Sequence, residues 1–308
     1  MKSIAIIYPY FGILPPQYNM WRMSALQNQT IDFIFFTDAD VEPDINIIVH
    51  KMQFCDFRDI VQRAFDFRIV LDRPYKLCEY KQTYGYILHD YIKEYDFWGF
   101  GDLDLVFGDI RSFINEQVLE FDFILGWGHF SILRNDVNTN KYFMQHEQGF
   151  QNYKEALSTK DITFFDEFGH NGCSDKWRKC RPNKCWLEEP FDNVSKPKQS
   201  YHLESLNHPD WKGILFEHVD NKLFAMRFNN GQIERRETLY AHFQHRPFMK
   251  DKVKDYSHFI ITPSSIVDYP NRNTNLWLRF YCRKRHLTTI FHQWKDRLIW
   301  KFNLSIYR

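Results

Sequence analysis

Tyr95-Asp96-Phe97-Trp98-Gly99-Phe100-Gly101-Asp102-Leu103-Asp104-Leu105-Val106-Phe107-Gly108-Asp109 is the stretch on which the reading of this chain turns. Its aromatic first half has the apolar continuity of a strand covered on both faces, and Leu105-Val106-Phe107 is a second apolar run. Between them Asp102 and Asp104 stand two residues apart, and ionised carboxylates only accept. Hard oxygen ligands at the end of a buried strand suit Mg²⁺ or Mn²⁺, with a substrate diphosphate completing the octahedron. The plainer reading, two solvated turn aspartates, sits badly with flanks this apolar.

Working outward, residues 3–8 form a β-branched apolar run closed by Pro9, a first buried strand. Gly12, Pro15 and Pro16 make a loop, and residues 17–29 predict a helix with Met20, Trp21, Met23, Ala25 and Leu26 toward the core. Residues 31–36 and 46–50 predict two further strands, the first stopped by Thr37-Asp38-Ala39-Asp40. Strand, helix and strand at this spacing make a βαβ unit, so the fold class is α/β with a mixed, mainly parallel sheet flanked by helices. Helices are expected over 75–91, 110–118 and 142–157, and a strand over 121–126. Residues 169–201, rich in Cys, Lys, Asn and Pro, predict a long loop. Strands over 223–228 and 239–243 are expected to flank the Asn229-Asn230-Gly231 turn.

Bulk properties bound the function. With 308 residues, 44% of them hydrophobic and 18% aromatic, the chain can bury a substantial core, which excludes disorder. The net charge of +1 is unevenly spread: residues 275–308 carry eight Lys/Arg and one Asp, leaving a net of −6 on residues 1–274. In that tail Trp277, Phe280, Tyr281, Phe291, Trp294 and Trp300 interleave with Arg279, Arg283, Lys284, Arg285, Lys295 and Lys301. A partly helical, basic and aromatic tail of this kind suits an anionic membrane surface, with a helix packed on the body as the alternative; nucleic acid is not expected as a partner. No export signal or membrane-spanning run is read, so a cytoplasmic location is expected, peripheral on the inner face of the plasma membrane, with the six cysteines as thiols.

Several segments resemble a known family. Residues 75–85 (YKLCEYKQTYG), the 95–109 stretch, Tyr240-Ala241-His242-Phe243-Gln244-His245-Arg246, the opening Ile7-Tyr8-Pro9-Tyr10-Phe11-Gly12 and Phe35-Phe36-Thr37-Asp38 together are similar to glycosyltransferases of bacterial capsule and O-antigen clusters. The resemblance covers about residues 1–250, which sets a domain over 1–250 and an extension over 251–308. It implies a GT-A-like (Rossmann-like) fold, a D-x-D motif, a nucleotide-sugar donor (a UDP-sugar, of galactose type among others) and Mn²⁺ or Mg²⁺. The acceptor it implies is a surface glycan, including a lipid-linked one.

Candidate residues follow. Asp102 and Asp104 are the metal and diphosphate pair, with Asp102 also toward the donor, and His242 is the third metal ligand because imidazole suits Mn²⁺. Arg246 could hold a phosphate in bidentate fashion, or lie on the surface. Tyr8, Thr37 and Asp38 end the first two strands, where ligands bind in open α/β sheets; uracil could stack near Tyr8, whereas Asp38 could equally be a turn cap. Lys81 lies on the apolar stripe Leu77, Lys81, Tyr84, Leu88; a buried ammonium needs an anion, which a donor phosphate or the nucleotide site would supply, the alternative being a lysine that snorkels out of the stripe. Asp166 and Glu167, set in Phe164-Phe165-Asp166-Glu167-Phe168, are candidate catalytic bases, since desolvation raises a carboxyl toward the useful range. Gly126-Trp127-Gly128-His129-Phe130 is a candidate sugar platform, or core. His170, Cys173, Cys180 and Cys185 have no standard zinc spacing and read as free thiols before a zinc site.

Two other functions fit some of these features. A nucleotidyltransferase also uses paired aspartates and metal, but Tyr8-Pro9-Tyr10-Phe11-Gly12 is no Gly-rich phosphate loop. A non-catalytic carbohydrate-binding protein explains the aromatics and leaves the acidic pair, the late histidine and the basic tail unexplained.

Overall fold

The computed structural model describes residues 1–196, 202–244, 250–254, 256–263 and 265–269. The chain divides into two compact units, Met1–Pro190 and Phe191–Arg308. Arg246 and the whole of residues 275–308 lie outside the described residues.

The first unit contains β1 (Ile4–Tyr10), β2 (Asp32–Thr37), β3 (Ile47–Lys51), β4 (Phe97–Gly101), β5 (Leu105–Phe107), β6 (Phe123–Trp127), β7 (Phe130–Arg134) and β8 (Cys185–Trp186). Seven of them form one sheet in the order β3-β2-β1-β4-β7-β6-β8. Pairing is parallel from β3 through β4 and between β6 and β8, and β7 runs antiparallel to both its neighbours. This is the expected mixed, mainly parallel α/β sheet. Phe33 and Phe35 of β2 meet Trp21 of α1 (Tyr18–Leu26) on one face, with ring centroids 5.5 and 5.2 Å away. Ile34 and Phe36 join Phe57 and Val61 of α2 (Phe54–Arg63) on the other. Alternate side chains thus enter two different cores, so the strand is apolar at every interior position. Each Phe so buried contributes about 1.5–3 kcal/mol. In β4 a side chain at Gly99 would place Cβ 2.4 Å from the Ser131 carbonyl oxygen and 2.8 Å from Ile6 Cδ1, so only glycine fits there.

Several helices differ from expectation. Residues 75–91 do not form one α-helix. Pro74–Thr83 is a 3-10 helix, followed by the short α-helices Tyr84–Ile87 and His89–Ile92. At three residues per turn, Lys76, Glu79 and Gln82 eclipse along one face, and all three are buried, where they need polar partners. The helix expected over 142–157 is two pieces, Tyr142–Met144 and Tyr153–Ser158, separated where Gly149 takes φ +86°. That expected over 110–118 ends at Phe113 after a start capped by Asp109. Residues 169–201 are not all loop: Cys173–Cys180 is an α-helix. Its buried Lys176 donates to the carbonyls of Tyr142, Phe143 and Gln145 at 3.1, 3.2 and 2.7 Å, so the lysine-rich composition that suggested a loop hides a core-anchoring cation.

The second unit holds β9 (Asp192–Asn193), β10 (Leu203–Glu204), β11 (Lys212–Val219), β12 (Lys222–Asn229), β13 (Gln232–Thr238), β14 (Tyr240–His242), β15 (Lys250–Lys252), β16 (His258–Ile261) and β17 (Ser265–Asp268). One sheet runs β13-β12-β11-β16-β17-β15, with β10 on β11. The Asn230-Gly231 turn forms, with φ +47° and +89°, as a two-residue hairpin demands. Its return strand is β13 rather than residues 239–243. The sequence Gln232-Ile233-Glu234-Arg235-Arg236-Glu237-Thr238 is a polar edge strand with a weak apolar signal. The Tyr240–His242 strand pairs in parallel with β9 instead. Among the described residues no helix is long and apolar enough to cross a membrane.

Candidate metal and catalytic site

β4 ends at Gly101, and the chain turns through Asp102-Leu103-Asp104 into β5. Both ends of this turn are anchored. The Asp102 amide donates to the His129 carbonyl at 3.0 Å. Beyond the turn, Ser24 Oγ of α1 accepts from the Phe107 amide at 3.1 Å, and the Asn28 side chain donates to the Gly108 carbonyl and accepts from the Ile110 amide. Asp104 is buried and the Asp102 side chain is 38% exposed.

Lys81 reaches this turn from the 3-10 helix. Its ammonium donates to Asp102 Oδ1 and to the Gly128 carbonyl, each at 2.7 Å, and lies 3.8 Å from Asp166 Oδ2. Burial alone would lower the lysine, but the carboxylates of Asp102 and Asp166 outweigh it and hold the ammonium above its ordinary range. The anions facing Lys81 are thus carboxylates of the protein itself, where a donor phosphate was expected. Asp166 is buried, and desolvation pushes its carboxyl up to about 8, against the pull of Lys81 and with the help of Glu167, Asp102 and Glu79. A carboxyl titrating near neutrality can take a proton and return it, which is what a general base requires. Burial likewise pushes the neighbouring Cys78 thiol up to about 12, leaving it protonated and a poor nucleophile.

Gly128 makes the approach possible. A Cβ there would lie 2.8 Å from Glu167 Cγ and 3.0 Å from Asp166 Oδ2, so a larger residue would displace both acids. Glu167 itself is exposed beside the buried Asp166.

Asp102 and Asp104 carry the two carboxylates of the candidate site in the first unit, and His242, the third candidate ligand, ends β14 in the second. Two carboxylates and one imidazole are a donor set that fits a divalent cation such as Mn²⁺ or Mg²⁺. Within the second unit, His242 Nδ1 lies 3.1 Å from Asn193 Oδ1. That oxygen can only accept, so Nδ1 donates in this bond.

A family model covers residues 6–270 of the chain, a family of unknown function designated DUF6625. The chain belongs to the DUF6625 family. No curated protein matches this DUF6625 sequence. The crystal structure of mouse xyloside xylosyltransferase 1, apo form, is similar over 63% of this chain and 87% of that one, at 11% identity and a TM-score of 0.34. A likeness that loose carries no argument about fold or activity.

The other expected residues of the DUF6625 chain fall as follows. Asp38 is exposed, and its Oδ1 accepts from the Gly12 amide at 2.7 Å. Thr37 is buried, its hydroxyl accepting from the Ala39 amide. The Tyr8 ring is buried and stacks on Phe35 at 5.1 Å, its hydroxyl accepting from Trp21 Nε1 at 3.2 Å. Trp127 is half-buried with Phe168 against it at 5.3 Å. Among the described residues, His170, Cys173, Cys180 and Cys185 do not come together as a metal-ligand group. Cys173 and Cys185 are buried, and Cys180 is exposed. Sequence reasoning missed Glu79, Gln82 and Ser174: the Ser174 hydroxyl donates to the Asp166 carbonyl and accepts from Gln82 Nε2, and Glu79 holds Thr163 and Phe164 just before it. The available signal was the three-residue spacing of polar Lys76, Glu79 and Gln82 within an otherwise apolar segment.

Proposed function

We propose that this chain is a metal-dependent glycosyltransferase that moves a sugar from a nucleotide-diphosphate donor, a UDP-sugar, to a bacterial surface-polysaccharide acceptor, including a lipid-linked one. The observation that carries the reading is the Asp102-Leu103-Asp104 turn at the end of β4, beside Lys81 and the buried Asp166, whose carboxyl desolvation pushes up. The sheet order, parallel from β3 to β4 with an antiparallel β7 next, supports a GT-A-like arrangement.

In this reading Asp102, Asp104 and His242 hold the cation, which when bound supplies positive charge against the leaving diphosphate. Lys81, already paired with Asp102, is placed to turn toward a donor phosphate, and Arg246 adds a second phosphate contact. Thr37 and Asp38 lie at the end of β2 toward the nucleoside, with Tyr8 beneath. Asp166 takes the proton of the acceptor hydroxyl, and exposed Glu167 lies on the acceptor side. Residues 1–250 form the catalytic region and 251–308 an extension, of which residues 275–308 attach to the anionic inner face of the membrane.

The test is release of UDP from UDP-glucose, UDP-galactose and UDP-N-acetylglucosamine by the purified chain. Slow hydrolysis of one donor with Mn²⁺, abolished by EDTA, is expected. Release of pyrophosphate from a nucleoside triphosphate and a sugar phosphate, with no UDP release from any donor, would overturn it in favour of nucleotidyl transfer.

A further inference from the structure

The buried polar face of the 3-10 helix Pro74–Thr83 has a use that the metal and donor sites leave unexplained. Glu79 is fully buried, and its carboxylate accepts from the Thr163 amide at 3.0 Å, the Phe164 amide at 2.9 Å and the Thr163 hydroxyl. Three residues on, Gln82 Nε2 donates to Ser174 Oγ at 3.0 Å, and that hydroxyl donates to the Asp166 carbonyl at 2.7 Å. Three residues before Glu79, the Lys76 ammonium lies 3.9 Å from the Glu79 carboxylate and donates to the carbonyls of Ala156 and Asp161. The same helix carries Lys81 to within 3.8 Å of Asp166.

One short element therefore grips the chain before and after Phe164 and also supplies the cation that faces Asp166. The grip has something to hold. Phe164 sits at φ +59°, a left-handed conformation that a bulky residue adopts only when its surroundings impose it. Two of the three Glu79 bonds come from the Thr163 and Phe164 amides, the two successive peptide groups that lead into Phe164, so the carboxylate orders the backbone at that strained point. Three-residue winding is what aligns the three polar side chains; at 3.6 residues per turn Lys76 and Gln82 would diverge by about 120° around the helix.

We infer that Glu79 and Gln82 are positioning residues that hold the Thr163–Asp166 segment so that the Asp166 carboxyl enters the site opposite Lys81; this rests on the reading of Asp166 as the base. They touch no reacting atom. Their effect is to keep Asp166 buried and aimed. Lys76 neutralises Glu79, which lets a fully buried carboxylate serve as the clamp.

The experiment is NMR titration of the side-chain carboxyls in protein labelled with ¹³C-aspartate, with the Asp166 signal assigned by its loss in Asp166→Asn. No donor, acceptor or metal is needed. Charged groups facing Asp166 are Lys81, Glu167, Asp102 and Glu79, so loss of the Glu79 charge must be separated from loss of its clamp. Glu79→Gln removes the charge and retains an acceptor for both amides. Glu79→Ala removes both. The expected result is a titration in Glu79→Gln within about half a unit of wild type, and a fall of more than about one unit in Glu79→Ala as water reaches the carboxyl. Thr163→Val, which deletes one hydroxyl and leaves the core filled, is expected to shift the titration the same way by a smaller amount. An unchanged Asp166 titration in natively folded Glu79→Ala overturns the inference. If Glu79→Ala does not fold, an unchanged titration in Thr163→Val overturns it. The base reading fails separately: full UDP release by Asp166→Asn would remove it without altering the titration results.

Discussion

Asp166→Asn should make the protein more stable at neutral pH while removing its turnover. Asp166 has a side chain 4% exposed and titrates at about 8 in the fold, against about 3.9 in the unfolded chain. Below pH 4 both states are protonated and the group contributes nothing. Between pH 4 and 8 the folded protein keeps a proton that the unfolded chain has lost. Stability therefore falls with rising pH by about 1.4 kcal/mol per unit across that window. At pH 7 the accumulated penalty is about 4 kcal/mol, and above pH 8 it levels off. Asparagine cannot ionise and avoids the penalty, although burying its amide returns about 1–2 kcal/mol. The expected gain is about 2–3 kcal/mol at pH 7, a large share of the stability of an ordinary domain. Urea denaturation at pH 4.5, 6, 7 and 8 measures it, followed by the fluorescence of the buried Trp21, Trp98 and Trp177. The difference between variant and wild type should widen with pH and flatten beyond 8. Wild-type UDP release should rise about tenfold per unit below pH 8 and plateau above it, as expected for a base used in its ionised form. A variant no more stable than wild type at pH 7, or a difference that does not change with pH, would refute the reasoning. Asp166 would then ionise as an ordinary carboxylate.

Asp102→Ala and Asp104→Ala should each abolish Mn²⁺-dependent UDP binding in calorimetry with the far-UV spectrum unchanged; Mn²⁺-enhanced binding that persists in both variants would refute the acidic pair as the metal site. Gly128→Ala should lower the turnover number about 10–100-fold with little change in donor KM, because the new methyl meets Glu167 at 2.8 Å and Asp166 at 3.0 Å; unaltered kinetics would show that the two acids need no such approach. Lys176→Met should cost about 3 kcal/mol in urea denaturation, since it leaves the buried carbonyls of Tyr142 and Phe143, and the partly buried one of Gln145, without their donor. Deletion of residues 275–308 should abolish salt-sensitive binding to anionic liposomes in a flotation assay, and equal binding by the truncated protein would remove the membrane proposal.

Sequence alone determined the α/β class and the first four strands, because β1, β2 and β4 are covered on both faces and must be apolar throughout. It also determined the acidic turn, since two carboxylates between buried strands have few other uses, and it marked Lys81 as a cation in need of an anion. It could not place that anion. Asp102 is 21 residues from Lys81 along the chain, and Asp166 approaches only because Gly128, on a hairpin between two antiparallel strands, leaves room for it. Helix winding was equally illegible: the apolar positions of residues 74–83 fit a period of 3.6 as well as 3.0, and only the buried partners of Lys76, Glu79 and Gln82 select the tighter turn. The polar return strand β13 was missed because an edge strand can lack the alternation that betrays a half-buried one. Local pattern reports which face of a segment is buried. What that face meets, and hence the charge state of Asp166, depends on contacts between segments far apart in the chain, which the three-dimensional fold alone decides.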